Sequence, residues 1–230
     1  SCNILALLSV NDPGGKLLNR PINSLRDVLL SWHPNTNATL EQRKNIFCEI
    51  VQKYPTIAWQ LIEGLLPGNT RSCSLSSSPL WREAGRDKKA VLTRGMVWEF
   101  EGCVLKTAVE EAGDDPEKWK DILDCYNRTS PDLRTMIVES IGTVSNSISK
   151  PDVRKAFWDI IRNFVNRHLS FPDAEWSLNA KELEPLQKII ECLVPEDLVT
   201  KNIWLFEEYH PDIPEINKME FEEAEKKVKE

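Results

Sequence analysis

No hydrophobic run in this chain is long enough to cross a bilayer. The longest, Ile4 to Leu8 with Val10 beyond, falls far short of the roughly 20 residues that a spanning helix needs. It has no basic flank before it and no small-residue cleavage site after it, so it does not read as a signal peptide, and no membrane partner is expected. Histidine is scarce: His33, His168 and His210 are the only three, and they stand apart in the sequence. Each lies near an expected helix end, where contact with the negative end of the helix dipole is the ordinary role. Neither C-x-x-C nor H-E-x-x-H occurs, which removes the common zinc and redox signatures. The glycine loops that cradle phosphates are missing too, and Gly14-Gly15-Lys16 lacks the Ser or Thr that would follow. No cofactor is expected. Six cysteines could make three disulfides, but no two lie within about twenty positions, unlike small disulfide scaffolds. Cys48, Cys103, Cys125 and Cys192 sit inside helical patterns, so reduced, mostly buried thiols in a cytoplasm are expected. Excess basic charge is also absent. A net charge of -7 argues against coating nucleic acid or anionic membrane through the overall field.

What is present is a chain that folds. Hydrophobic residues make up 41% and charged residues 28% of its 230 positions, with eight tryptophans, an ordinary globular composition. Five prolines stand beside acidic or hydroxyl residues where apolar-periodic runs begin: Pro55, Pro116, Pro131, Pro151 and Pro195. Proline suits the first helical turn, and an acid after it meets the positive end of the helix dipole. Thr39-Leu40-Glu41-Gln42 has capping-box spacing. A short helix is expected from Ser24 to Trp32, and antiparallel hairpins from Thr39 to Leu66, Thr93 to Tyr126, Ser130 to Val165 and Ala180 to Tyr209. Their starts keep no fixed period, so a regular tetratricopeptide or ankyrin array is excluded. The expected fold is all-α: an irregular antiparallel helical-hairpin solenoid of the HEAT or TPR kind, or a multi-helix bundle. Residues 1–230 read as one helical-repeat domain, with a loop at 69–92 separating a helical region over residues 1–68 from another over residues 93–230. The abrupt opening at Ser1-Cys2 and an end inside a charged helical pattern suggest a piece of a longer protein.

Two places concentrate polar chemistry. In the aperiodic stretch from Asn69, Arg71, Arg82, Arg86, Lys88, Lys89 and Arg94 outnumber Glu83 and Asp87, and Trp81 adds a stacking surface. Such a mixture could grip an acidic partner or, through residues 82–94, nucleic acid phosphates. The commoner role of such a loop is packing, with Trp81 as a plug. Around a helix end, Glu207, Glu208, His210 and Asp212 gather oxygen and nitrogen donors suited to a metal or to acid–base chemistry. A solvated helix terminus explains them more simply. The pairs Glu99 with Glu101 and Glu110 with Glu111 read as solvent face, as do Arg154, Lys155, Arg162 and Arg167.

Asn19-Arg20-Pro21, Leu29 to Thr36, Pro55-Thr56-Ile57-Ala58-Trp59, Ser77 to Arg82, Phe171 to Trp176 and Trp204-Leu205-Phe206 together resemble the helical-repeat region of very large bacterial defence-type proteins. The nearest comparison is the C-terminal half of signal-transduction P-loop ATPases. That resemblance spans most of the chain and implies a non-catalytic scaffold for protein interaction or ligand sensing within a larger multidomain protein, possessing no enzyme activity in this segment and serving anti-phage defence. Its partner would be another protein or other domains of the same polypeptide, and nucleic acid is the lesser alternative. Trp32, Trp59, Trp81 and Trp176 would then be packing landmarks rather than catalysts, as tryptophan at helix ends commonly is.

Overall fold

Proline opens helices here as its chemistry suggests: Pro21, Pro55, Pro116, Pro131 and Pro151 each lie in the first turn of one. The computed structural model describes residues 1–15, 19–33, 35–68, 92–207 and 211–214. Among these the chain is all-helical, and it divides into two compact units, Ser1–Glu111 and Ala112–Glu230.

The first unit comprises α1 (Cys2–Val10), α2 (Pro21–Leu29), α3 (Leu40–Lys53), α4 (Pro55–Leu65) and nearly all of α5 (Arg94–Ala112). The capping box forms: Thr39 Oγ1 accepts the Gln42 N–H at 3.2 Å, and Gln42 Oε1 accepts the Thr39 N–H at 2.9 Å. Only Tyr54 separates α3 from α4, so the two fold back on each other and bury Phe47, Ile50 and Val51 with Ile57, Ala58, Leu61 and Ile62. α2 begins at Pro21, three residues before the expected Ser24; no acid follows Pro21, so the dipole signal that marks other starts is missing. It lies so close to α4 that a Cβ at Gly64 would stand 3.0 Å from Arg26 Cδ.

The link from α2 to α3 has no regular structure, and a buried arginine satisfies it. Arg43, only 5% exposed, donates to the carbonyls of Leu30 at 2.6 Å, Thr36 at 2.9 Å and Ala38 at 3.2 Å. Burial lowers its pKa from the ordinary arginine value, yet guanidinium remains cationic at any pH of interest. Arg43→Met keeps the aliphatic stem and deletes every donor. Stranding those carbonyls is expected to destabilise the first unit by about 2 kcal/mol, read as a lower urea midpoint at unchanged slope. A loss below about 0.5 kcal/mol would show that water replaces the guanidinium.

The second unit holds α6 (Pro116–Cys125), a 3-10 turn at Tyr126–Arg128, α7 (Pro131–Ser147), α8 (Pro151–Ser170), α9 (Ala180–Leu193), α10 (Leu198–Asn202) and α11 (Trp204–Glu207). α8 packs against α9 and α6. The buried set is Trp119, Ile122 and Leu123 with Ile137 and Ile141 of α7, Phe157, Ile161 and Val165 of α8, and Leu183 and Leu186 of α9. The expected helix from Pro195 to Tyr209 is not formed as one element. Asp197 caps instead, its carboxylate accepting the Thr200 N–H at 2.7 Å, and two short helices follow. The capping oxygen, rather than Pro195, sets the start.

Candidate functional site

α1 carries no charged residue along Cys2–Val10, so its own side chains offer the fold apolar contacts and neutral hydrogen bonds. The i, i+3, i+4 periodicity puts Ala6 and Ser9 inward, where both are buried. Ser9 conceals its hydroxyl by donating to the Leu5 carbonyl at 2.8 Å. α1 packs against α2, α4 and α3, and Asn3 Nδ2 donates to Glu49 on α3 at 3.0 Å. The opposite face presents Ile4, Leu7 and Leu8, which are 64%, 54% and 51% exposed. Three large aliphatic side chains at i, i+3, i+4 with no charge among them are a face usually covered by something apolar.

Also in the first unit, a cavity of about 90 Å³ is bordered by Arg26, Ser31, Trp32, Gly64 and Glu101, among others. Arg26 directs Nε and one terminal nitrogen onto Asp27 at 3.0 and 2.7 Å, so its charge is already answered locally. Glu101, expected on a solvent face, is buried at 9% exposure. The helical stripe that buries Phe100, Val104 and Ala108 is wide enough to take in the neighbouring position.

In the second unit the groups with the most chemical potential serve architecture. Arg134 forms an ion pair with Glu182, donates to the carbonyls of Tyr126 at 3.1 Å and Asn127 at 2.8 Å, and lies over the Tyr126 ring. Glu182 is also the N3 member of the capping box that begins α9 at Asn179. His168 is buried between Phe164 and Trp176, with ring centroids at 4.5 and 5.2 Å. Its Nδ1 accepts the Leu178 N–H at 3.0 Å, so this nitrogen is unprotonated. Burial foremost, with Arg167 and Arg134 adding repulsion and Glu182 opposing it, lowers the imidazole pKa to about 4. The sequence-based expectation of a histidine favouring a helix dipole through its positive charge is therefore corrected: it is a neutral acceptor that pins the segment after α8.

Within the basic stripe of α8, Arg162 needs the same correction. Arg162 is 5% exposed, sandwiched between the rings of Trp158 at 4.4 Å and Trp204 at 4.1 Å and bridged to Asp159 at 2.8 Å. Lys155 holds Asp159 from the other side at 2.7 Å, Arg154 donates to the Cys192 carbonyl, and Arg167 lies over Trp176. Aromatic faces and a neighbouring acid draw Arg162 inward, Arg154 and Lys155 are half-buried, and Arg167 stays on the exposed surface as expected.

Of the residues singled out in the basic loop, Arg94 lies exposed in the first turn of α5, while Arg71, Trp81, Arg82, Arg86, Lys88 and Lys89 fall outside the described residues. Glu207 is exposed at the end of α11 and Asp212 half-buried beyond it; Glu208 and His210 fall outside the described residues. Among the described residues no three His, Cys, Asp or Glu side chains gather as a metal site, and no helix is long and apolar enough to cross a membrane. Trp176 packs as a wedge on His168 and Phe171, while Trp32 and Trp59 are half-buried. The outer face of α1 was not singled out from sequence, although its signal, nine residues without a charge, is in plain view. No protein-family model, curated protein or solved structure matches the chain.

Proposed function

We propose that this chain is a non-catalytic helical scaffold, an irregular solenoid of hairpins, that binds a protein partner through the outer face of α1. The observation that carries the reading is the set Ile4, Leu7 and Leu8, each more than half exposed on a helix without charge. Exposed aliphatic residues standing singly are ordinary, but three on adjacent turns of one face form a contact surface. The occupant is another protein or a further domain of the same polypeptide, in the cytoplasm, and the resemblance to bacterial defence-type repeat regions agrees with a sensing role inside a larger protein.

The test is affinity purification of the full-length polypeptide beside its Ile4→Glu/Leu7→Glu variant. Both positions are solvent-facing, so helical content and melting should change little. A partner recovered with the parent protein is expected to fall at least about tenfold in the variant, the scale on which buried apolar anchors act. Equal recovery, with the fold intact, overturns this assignment of the surface.

A further inference from the structure

α3 and α5 meet through three successive pairs that climb both helices in the same direction. Lys44 Nζ bridges Glu99 at 2.7 Å, the rings of Phe47 and Phe100 meet edge to face at 6.1 Å, and Cys103 has the Cys48 thiol as its neighbour. On α3 Lys44, Phe47 and Cys48 share one face through i, i+3 and i+4 spacing, and on α5 Cys103 lies one turn beyond both Glu99 and Phe100, so the thiol pair belongs to a packed interface rather than to a chance approach. Both cysteines are reduced and only half-buried, and small reagents can reach them. The remaining described cysteines are placed differently: Cys125 is buried with its thiol on the Asp121 carbonyl, Cys192 is exposed on α9, and Cys2 sits in α1.

We propose that Cys48 and Cys103 are a reversible modification site, a dithiol pair that closes to an intramolecular disulfide between α3 and α5 when a low-molecular-weight disulfide is supplied. One cysteine sulfur, as thiolate, attacks the small disulfide, forming a mixed disulfide and expelling one small thiol. The second cysteine sulfur then attacks the protein sulfur of that mixed disulfide and expels the second. Two electrons leave the cysteine pair, the small disulfide is reduced to two thiols, and these take up the two protons. Burial, then the neighbouring Cys48 thiol, raises the Cys103 pKa to about 11, while Lys44 and Lys106 work against the rise. Attack by the Cys103 sulfur is accordingly slow at neutral pH and quickens as pH rises. Once closed, the bond ties α3 to α5 and encloses α4 and residues 69–91 in one covalent ring.

Native full-length chain is incubated with excess oxidised glutathione at low protein concentration, its remaining thiols are blocked with N-ethylmaleimide, and a digest is analysed by mass spectrometry. The expected product is the Cys48 peptide joined to the Cys103 peptide, lighter by about 2 Da than the two free peptides together, from protein that still runs as a monomer. Dithiothreitol should return both peptides to the free form. In Cys48→Ser, Cys103 should be recovered only as a blocked or glutathione-capped peptide. If parent protein gives Cys48 and Cys103 separately blocked or capped, or joined to other cysteines, the proposal is overturned.

Discussion

Trp119→Ala is expected to destabilise the second unit by about 3–5 kcal/mol, the range for deleting a large aromatic from a close-packed interior. Trp119 is fully buried, among the largest side chains with no exposed surface, and it sits on α6 beside Ile122 and Leu123 in the same core. Its indole adds a polar anchor. Nε1 donates at 2.9 Å to the carbonyl of Gly113, the residue that leaves α5 with φ at 56°, a conformation that a side chain would strain. One residue therefore fills the core and fixes the turn that launches α6. Trp119→Phe separates the two roles: most of the volume stays, the Gly113 carbonyl loses its donor, and a loss of about 1–2 kcal/mol is expected. Trp98→Ala supplies the contrast, since Trp98 is 65% exposed and its removal should change stability by no more than about 0.5 kcal/mol. Urea unfolding followed by far-ultraviolet circular dichroism measures all three. Equal losses for Trp119→Ala and Trp98→Ala would contradict the burial that separates them.

Local signals in the sequence carried as far as local physics reaches. Thr39 and Gln42 form the capping box that their spacing implies, and Pro55, Pro116, Pro131 and Pro151 start helices because the missing N–H and the fixed φ act within one turn. The stripe on α4 is buried at Ile57, Ala58, Leu61, Ile62 and Leu65 because helical period alone decides which residues share a face. Expectations failed where a partner distant in sequence decides the outcome. Arg162 reads as a solvated cation until Trp204 is brought over it. Glu101 reads as surface until the packing of the first unit closes around α5. The thiols are less buried than expected: Cys125 is buried, Cys48 and Cys103 are halfway, and Cys192 is exposed. The Cys48 and Cys103 pairing depends on the packing of α3 on α5, which no spacing rule encodes.

A common device runs through both units. Where two helices are joined by several irregular residues, a side chain from a neighbouring helix reaches in to satisfy the backbone of the join. Arg43 does this for Leu30, Thr36 and Ala38. Arg134 does it for Tyr126 and Asn127, and His168 for Leu178. Short hairpins such as α3–α4 have little unpaired backbone to satisfy, whereas longer joins leave carbonyls and amides that must find partners once buried. Arg43 and His168 thus lie inside this molecule as linchpins of irregular segments, whereas the outer face of α1 is charge-free and exposed.

The same device makes the second unit sensitive to acid. His168 titrates near 6.5 in an unfolded chain and near 4 when folded, chiefly because burial disfavours the imidazolium. Between those values the unfolded state binds more protons, so the stability contribution is complete above about pH 6.5, falls as pH drops and is gone below about pH 4. The displacement corresponds to about 3 kcal/mol at most. Protonation also turns Nδ1 from acceptor to donor, and it then faces the Leu178 N–H donor to donor. Carboxylates titrate in the same range, so the parent protein must be compared with a variant lacking only this group. His168→Gln can still present an oxygen to the Leu178 N–H and does not titrate. It loses the ring contacts with Phe164 and Trp176 and is therefore less stable than the parent at pH 7. Between pH 7 and pH 4.5 the parent's advantage over the variant, read from urea midpoints at each pH, should shrink by about 2–3 kcal/mol. An advantage that stays constant across that interval would show that His168 keeps an ordinary pKa in the fold.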